Sequence, residues 1–591
     1  MADAEISTTT ASIRPLGPLR LYLLALLIGA VASLGALFFR VLIGLFHNAF
    51  FLGQLSPYYD ASIHTPASPW GAGVVLVPVV GGMGVAFLVQ HFAPETKGHG
   101  VPEVMDAIYY KKGVIRPVVV LIKSLASALS IGSGASVGRE GPIVQIGSAF
   151  GSTVGGLLKL PTWQRLTLIA AGAGGGIAAT FNTPVGGLLF AIELLLHEIS
   201  VRTVLPVTIA TVTAAYFGRF FFGAHPAFVI PAFQKPDFVL TNPEVLLAFL
   251  LLGALLGVAS AIYIKSIYAF EDFFERVVPR SYYLRHAVGM LASGALMYTL
   301  FLLTGAYHVE GVGYATVQQI LTGSLQVGSF LILLFLLKIL ATSLALGSGA
   351  SGGIFSPGLY VGATFGGAFG VFLHQLFPGL PIDPAAFAVA GMAGLVGGAT
   401  GATVTAIVMI MEMTFDYSVV IPLTFTVAMS YGVRRFITRQ SIYTLKLARR
   451  GHYIPEALYS GVHELRRARD IMDRRFVVLP ASSPTLAERT ESRWIVWSEE
   501  GRVEWITDRS EPQAAEFSPT AKRQAGGQPQ NFIFAREEAT LVDLIARMGN
   551  REVEAAIIVR DDAATSDGVV GIVGKKALVD AMADALEIFS G

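Results

Sequence analysis

The sequence predicts an all-α polytopic membrane protein made of two related halves, followed by a soluble α+β domain. Three observations carry this. Hydrophobic residues make up 53% of the chain against 14% charged, and the mean hydropathy is +0.61, so most of the chain must be solvated by lipid. A long segment is repeated: Lys123-Ser-Leu-Ala-Ser-Ala-Leu-Ser-Ile-Gly-Ser-Gly-Ala-Ser136 is echoed by Lys338-Ile-Leu-Ala-Thr-Ser-Leu-Ala-Leu-Gly-Ser-Gly-Ala-Ser351, an offset of 215 residues. From about residue 448 the composition turns to Arg, Glu and Asp, with short apolar strands between polar turns.

Taken in order, residues 1–17 are polar or mixed and are read as a cytoplasmic N-terminal segment. The apolar run from Leu21 is too long and too late for a cleaved signal peptide, and is read as the first membrane helix. Candidate helices lie near 18–46, 71–92, 115–131, 142–157, 165–180, 184–198, 203–221, 245–271, 284–304, 329–346, 355–374, 384–399, 402–414 and 418–433. Several fall short of the ~20 residues that cross a bilayer core. Short, Gly-interrupted segments imply half-helices meeting inside the protein, where irregular backbone is tolerated only around a cavity. The membrane part spans 18–450, with its halves at about 71–221 and 284–433. Arg449, Arg450, Arg466, Arg467 and Arg469 at the junction place the C-terminal side in the cytoplasm by the positive-inside rule. Residues 451–591 are the soluble domain, with a loose polar loop over 508–529.

The repeat runs on through Gly138/Gly353, Pro142/Pro357 and Gly147/Gly362, then through Gly172/Gly391 and Glu193/Glu412 at an offset of 219. A looser pair upstream is Gly98-His-Gly-Val-Pro102 and Gly311-Val-Gly-Tyr-Ala315. In membrane proteins of two such halves, the substrate site lies where the broken helices of both converge. Net charge is +1, which gives no electrostatic case for nucleic acid, and the absence of cysteine excludes disulfides and Cys-based zinc sites.

The central stretch is Gly132-Ser-Gly-Ala-Ser-Val-Gly-Arg-Glu-Gly-Pro-Ile-Val-Gln-Ile-Gly147. Its glycines permit tight backbone, Pro142 suits a first helical turn, and the free N–H groups of such a helix start attract anions. Glu140 sits beside that start and can itself play the anion. Its mirror position is Phe355, so one half alone carries an ionisable group there. Lys123 and Lys338 are expected to snorkel or to pair with an acid, and Glu193 and Glu412 to bond neighbouring backbone.

The motifs Gly138-Arg-Glu-Gly-Pro142, Gly353-Ile-Phe-Ser-Pro357 and Ser441-Ile-Tyr-Thr-Leu445 resemble those of the CLC chloride channel and transporter family, and the likeness runs from about Leu19 to Arg450. The resemblance implies two inverted halves, an hourglass anion pathway in each subunit, and a homodimer with one pore per subunit in the lipid bilayer of the cell (inner) membrane. It makes Glu140 the gating glutamate and Tyr443 the inner hydroxyl that binds the central anion, with backbone N–H donors from Ile354 and Phe355. Gly138, Arg139 and Gly141 frame the same site, Arg139 more as a brace for the loop than as a lining group. His99 stands where the family usually has an anion-contacting serine, which opens chloride selectivity to fluoride or nitrate alternatives. Leu194 stands where proton-coupled members carry an internal glutamate, and a leucine relays no proton. Glu198, one turn on with His197 beside it, is the substitute station. The resemblance thus leaves channel and anion/proton antiporter both open.

The C-terminal segments Phe476–Leu486, Thr540–Met548, Ala555–Val559 and Gly568–Val573, then a helix from Lys576, give an order similar to a CBS domain pair. Between Leu486 and Trp494 the first copy leaves little room for its helix, which argues against nucleotide binding; no cofactor is expected, and a dimer-bracing or gate-modulating role is. The rival reading is an intramembrane serine hydrolase, with Ser136 or Ser351 as nucleophile and His99 or His197 as base, against which the duplicated motif counts, since one nucleophile needs no mirror copy.

Overall fold

A computed structural model describes residues 15–196, 199–231, 243–279, 281–452, 454, 467–480, 492–509, 532–549, 553, 555–560 and 566–587. Contacts divide the chain into Met1–Lys446 and Leu447–Gly591, a few residues before the 450/451 boundary expected from composition.

The first unit is helical: α1 Pro18–His47, α2 Val77–His91, α3 Val101–Tyr110, α4 Val118–Gly132, α5 Glu140–Leu157, α6 Thr162–Phe181, α7 Pro184–Phe190, α8 Val201–Phe222, α9 Pro243–Val277, α10 Tyr282–Thr304, α11 Tyr314–Leu321, α12 Gly328–Ser348, α13 Phe355–Leu376, α14 Pro384–Thr400, α15 Thr403–Thr414, α16 Val420–Ile437 and α17 Ile442–Ala448. Seven of the described helical segments are long and apolar enough to cross a membrane. The short α3, α11 and α17 lie outside the apolar runs picked out in the sequence, because at 7 to 10 residues they are too short to form an apolar run of membrane length. Helix α1 shows the membrane logic: Leu19, Leu23, Leu34 and Phe38 face outward while Ala25, Ala32 and Ala36 are buried. Lipid solvates the large side chains, and small ones let helices close on one another.

That close approach is duplicated. An added Cβ on Gly147 or Gly172 would lie 2.1 Å from the other's carbonyl oxygen, and the mates Gly362 and Gly391 meet at 2.2 and 2.1 Å. The loops ahead of α5 and α13 turn at Gly134 and Gly349, repeat mates with φ +96° and +124°, which only glycine adopts at low cost. The loops then meet at equivalent residues: Gly138 N–H donates to Gly353 O at 2.7 Å and Gly353 N–H to Gly138 O at 2.6 Å. An antiparallel pairing of equivalent residues is what a twofold axis between inverted halves requires. Side chains exchange across it as well, Ser127 with Ser351 at 2.9 Å and the mates Thr342 with Ser136 at 3.2 Å.

The duplicated acids behave as expected. Glu193 accepts from the N–H groups of Val404 and Thr405 and the hydroxyls of Thr403 and Thr405, at the start of α15. Glu412 accepts from Val185 and Gly186 N–H at the start of α7. Each half's carboxylate thus satisfies orphan donors at a helix start in the other half. The lysines correct the expectation. Lys123 and Lys338 are fully buried, so neither snorkels, and among the described residues neither forms an ion pair with an acid. Their ammonium groups donate to the carbonyls of Thr96 and Gly98, and of Val309 and Gly311, tying down the turns that lead into α3 and α11.

In the second unit, β1 Phe476–Pro480, β2 Trp494–Glu499 and β3 Arg502–Asp508 form one sheet, and β4 Phe532–Arg536, β5 Ala555–Val559 and β6 Val569–Gly574 another. In each, the first two strands are parallel and the last two antiparallel. Trp494, Val496 and Ile506 of the first sheet share a core with Phe532, Ile557 and Ile572 of the second. The first copy, read from the sequence as degenerate, keeps the full strand topology, and the crossover expected to be too short falls mostly outside the described residues. Helices α18 Ala468–Ile471, α19 Leu541–Gly549 and α20 Lys575–Glu587 complete the unit.

Candidate functional site

The site forms where the loop Gly138–Glu140 of one half meets the start of α13 in the other. Helix α5 begins at Glu140 and not at Pro142, because Glu140 already has helical backbone behind Arg139 as N-cap. Its carboxylate is 2% exposed and turns away from its own helix onto the start of α13. Ser356 N–H donates to Glu140 Oε2 at 3.2 Å, and the Ser356 hydroxyl donates to Oε1. Tyr314 OH donates to Oε1 at 3.1 Å and lies 2.7 Å from Ser356 Oγ. The carboxylate occupies the place where the free N–H groups and the positive dipole end of α13 would hold a small anion.

Backbone packing sets this geometry. Added Cβ atoms on Gly138 and Gly353 would lie 2.3 and 3.3 Å from Glu140 Oε2. One on Gly141 would lie 1.9 Å from His99 O, so the His99 loop rests directly on the turn that carries Glu140. On that side His99, 3% exposed, has its ring 6.2 Å from that of Tyr443 and 6.4 Å from that of Tyr268. Tyr443 is buried, and Tyr268 OH donates to Ile442 O at 2.5 Å, which holds the residue before it. Tyr263 OH donates to Ile354 O at 2.9 Å, fixing the N-cap of α13, and lies within electrostatic range of both Tyr443 and Glu140. Phe355 packs its ring 6.2 Å from Phe181.

The sequence-derived site residues Gly138, Arg139, Glu140, Gly141, His99, Ile354, Phe355 and Tyr443 therefore come together around one locus. Arg139, expected as a loop brace, packs its guanidinium 5.3 Å over the Tyr314 ring and 5.4 Å over that of Phe181, and it also lines a cavity of ≈ 280 Å³ that shares Tyr314 with the Glu140 site. Glu198 and His197 lie outside the described residues. Leu194 is buried in a π-helical turn, Ala191–Leu196, that continues α7, whereas the mate helix α15 is regular. Tyr314, Ser356, Tyr263 and Tyr268 were missed. Ser356 and Tyr314 stand inside quoted repeat motifs, but nothing in one dimension shows that α11 brings Tyr314 to Glu140.

Among the described residues, the hydrogen bonds of the serines in the hydrolase reading go to groups other than imidazole. Ser136 bonds Thr342, and Ser351 bonds Ser127 and Thr96 O. No group of three or more His, Asp or Glu able to hold a metal ion occurs among the described residues.

Comparison with known proteins agrees with this geometry. Residues 81–435 match the family model described as voltage gated chloride channel. The chain is 32% identical over 444 residues to the H(+)/Cl(-) exchange transporter ClcA of Vibrio parahaemolyticus, covering 73% of this chain and 90% of that one. It is 34% identical over 388 residues to a putative chloride channel protein, ClcB-like, of Ralstonia nicotianae, covering 65% and 87%. Among solved structures, a slow cyanobacterial Cl-/H+ antiporter superposes with a TM-score of 0.63 at 26% identity, over 74% of this chain and 98% of that one. A eukaryotic CLC transporter gives 0.61 at 20% identity over 95% and 98%, a likeness of fold. With converging broken helices, a carboxylate seated on a helix start, and a family match over more than half its length, the chain belongs to the voltage-gated chloride channel family, the CLC proteins.

Proposed function

We propose that this protein moves chloride or a similar small anion across a membrane, with Glu140 as the gate. The observation that carries the reading is the Glu140 carboxylate held by Ser356 and Tyr314 at the N-terminus of α13. A carboxylate there is a tethered competitor for the transported anion; either protonation or an incoming anion releases it. On the other side, Tyr443 and His99 supply a hydroxyl and a ring N–H, neutral donors that bind a halide without trapping it. Backbone N–H groups at Ile354 and Phe355 complete the central site in this reading, and Gly138 and Gly141 let the backbone close around it. Relatives named as H(+)/Cl(-) exchange transporters support chloride as the ion and protons as the counter-substrate. A homodimer in the cell membrane, both termini cytoplasmic, and a CBS-like C-terminal domain that modulates the gate go with it; the two sheets of equal topology support the CBS-like part.

A second reading, passive anion conduction, is favoured by one observation: the buried residue at the second proton station is Leu194. In liposomes holding the purified chain, an imposed chloride gradient drives protons uphill if exchange operates, and Glu140→Gln abolishes that proton flux. Anion flux without proton flux in the wild type selects the passive reading. Flux that Glu140→Gln leaves unaltered in size and pH dependence removes the gate assignment. His99→Ser, compared with wild type in chloride, nitrate and fluoride flux, tests the central site.

A further inference from the structure

The cavity outside Glu140 holds more cationic hydrogen-bonding capacity than any protein group uses. Arg40, near the end of α1, and Arg139 both line it. Arg40 lies 4.8 Å over the Phe222 ring, and Arg139 is clasped between Phe181 and Tyr314. Among the described residues neither guanidinium donates a hydrogen bond or forms an ion pair, and Arg139 Nε is buried without a partner. Asn182, on the same wall, takes a bond from Arg219 on its oxygen, while its buried amide nitrogen has no acceptor. The two arginine charges repel one another across the space. Asp60, the one acid among the described lining residues, turns an oxygen to the N–H of Ser62 and makes no ion pair with either arginine, though its charge attracts Arg40. Two cations brought together with donors unused are costly unless something anionic joins them.

A halide suits this arrangement poorly. Guanidinium groups present parallel N–H donors at the spacing of two oxygens on one atom, and aromatic faces hold both groups in a fixed orientation. At ≈ 280 Å³ the cavity also far exceeds one chloride. We propose that it is a binding site for a polyatomic oxyanion, a carboxylate, phosphate or sulfate group gripped by Arg40 and Arg139 with the Asn182 amide as a further donor. Because Tyr314 is both a wall of the cavity and a donor to Glu140, an oxyanion seated there obstructs the route to the gate. Binding stands apart from the transport reading; the obstruction rests on it.

The test uses the purified full-length protein and sodium sulfate as probe. Calorimetric titration is expected to give a sulfate dissociation constant on the order of 1 mM. Sulfate added outside liposomes should slow chloride flux over the same range. Arg40→Gln and Arg139→Gln are each expected to weaken binding about tenfold, and Asn182→Ala about threefold. Inhibition is read against each variant's own uninhibited flux, and folding is checked by gel filtration; if an arginine variant does not fold, Asn182→Ala and the wild type carry the test. Glu140→Gln should keep sulfate binding, since the site is outside the gate. No heat and no inhibition up to ~50 mM sulfate in the wild type overturns the proposal. So does wild-type affinity in the folded cavity variants, or loss of sulfate binding in Glu140→Gln. A wild type that binds sulfate but conducts no chloride leaves this site standing and removes the transport reading instead.

Discussion

Tyr314→Phe isolates one tether of the gate. The hydroxyl donates at 3.1 Å to Glu140 Oε1 and lies 2.7 Å from Ser356 Oγ, while the ring stays packed edge-on against Phe228, 5.2 Å away. Three oxygens meet there, with two hydroxyl protons between them, so an ionised Glu140 draws both protons toward itself. Removing the phenolic oxygen deletes one charge-assisted bond, about 1.5–3 kcal/mol, and leaves Ser356 N–H and Oγ in place. The tethered carboxylate then competes less well with a free anion. Half-saturation of chloride flux, or the dissociation constant from calorimetry, is expected to fall about ten- to a hundredfold. The phenyl ring keeps the packing, so the variant should elute and melt like the wild type. Chloride affinity within twofold of wild type in a folded Tyr314→Phe protein would refute the claim that this hydroxyl holds the gate shut. Weaker chloride binding would show instead that the hydroxyl serves the anion.

Three further outcomes follow from the packing and the charges. Glu193→Ala leaves the first N–H groups of α15 without an acceptor and should lower the thermal stability of the detergent-solubilised protein by about 2–4 kcal/mol, with a smaller loss for Glu412→Ala, which breaks two bonds; equal, negligible shifts would contradict the capping argument. Gly147→Ala and Gly362→Ala each drive a methyl into a carbonyl about 2.1–2.2 Å away and should abolish the monodisperse gel-filtration peak, whereas Gly156→Ala, with nothing near, should not. In the C-terminal unit, burial pushes the Asp543 carboxyl above its ordinary range, with Arg547 and His452 partly opposing. A raised acid contributes stability below the ordinary carboxylate range and loses it as pH rises through the folded value. Asp543→Asn should therefore slow hydrogen exchange in β4–β6 at pH 7, an advantage that shrinks toward pH 4; a pH-independent effect would rule out titration of Asp543 as the cause.

Much of the fold is legible in the sequence. The 215-residue echo identified Gly138/Gly353 and Gly147/Gly362 as mates, and the structure turns the first pair into a hydrogen-bonded contact on the axis and the second into matching helix crossings. Glu193 and Glu412 were readable as backbone-bonding acids, though not that each serves the opposite half. The lysines were misjudged because an ammonium in a membrane segment suggests an acid or the interface, and a pair of turn carbonyls is invisible in one dimension. Short helices such as α3 and α11 are hidden because tertiary contacts hold them, and at 10 and 8 residues they do not stand out as apolar runs.

What the chain by itself determined is the membrane character, the duplication, the soluble tail and the single acid of the central loops, since these depend on composition, repeat and spacing. What only tertiary structure decided is which helix Glu140 answers to. Its carboxylate belongs to α13 of the other half, held by Ser356 and by Tyr314, 174 residues away in sequence. The direction of a buried side chain is set by whichever unsatisfied donors the fold brings within reach, and in a protein of two interlocked halves the nearest donors are on the opposite half.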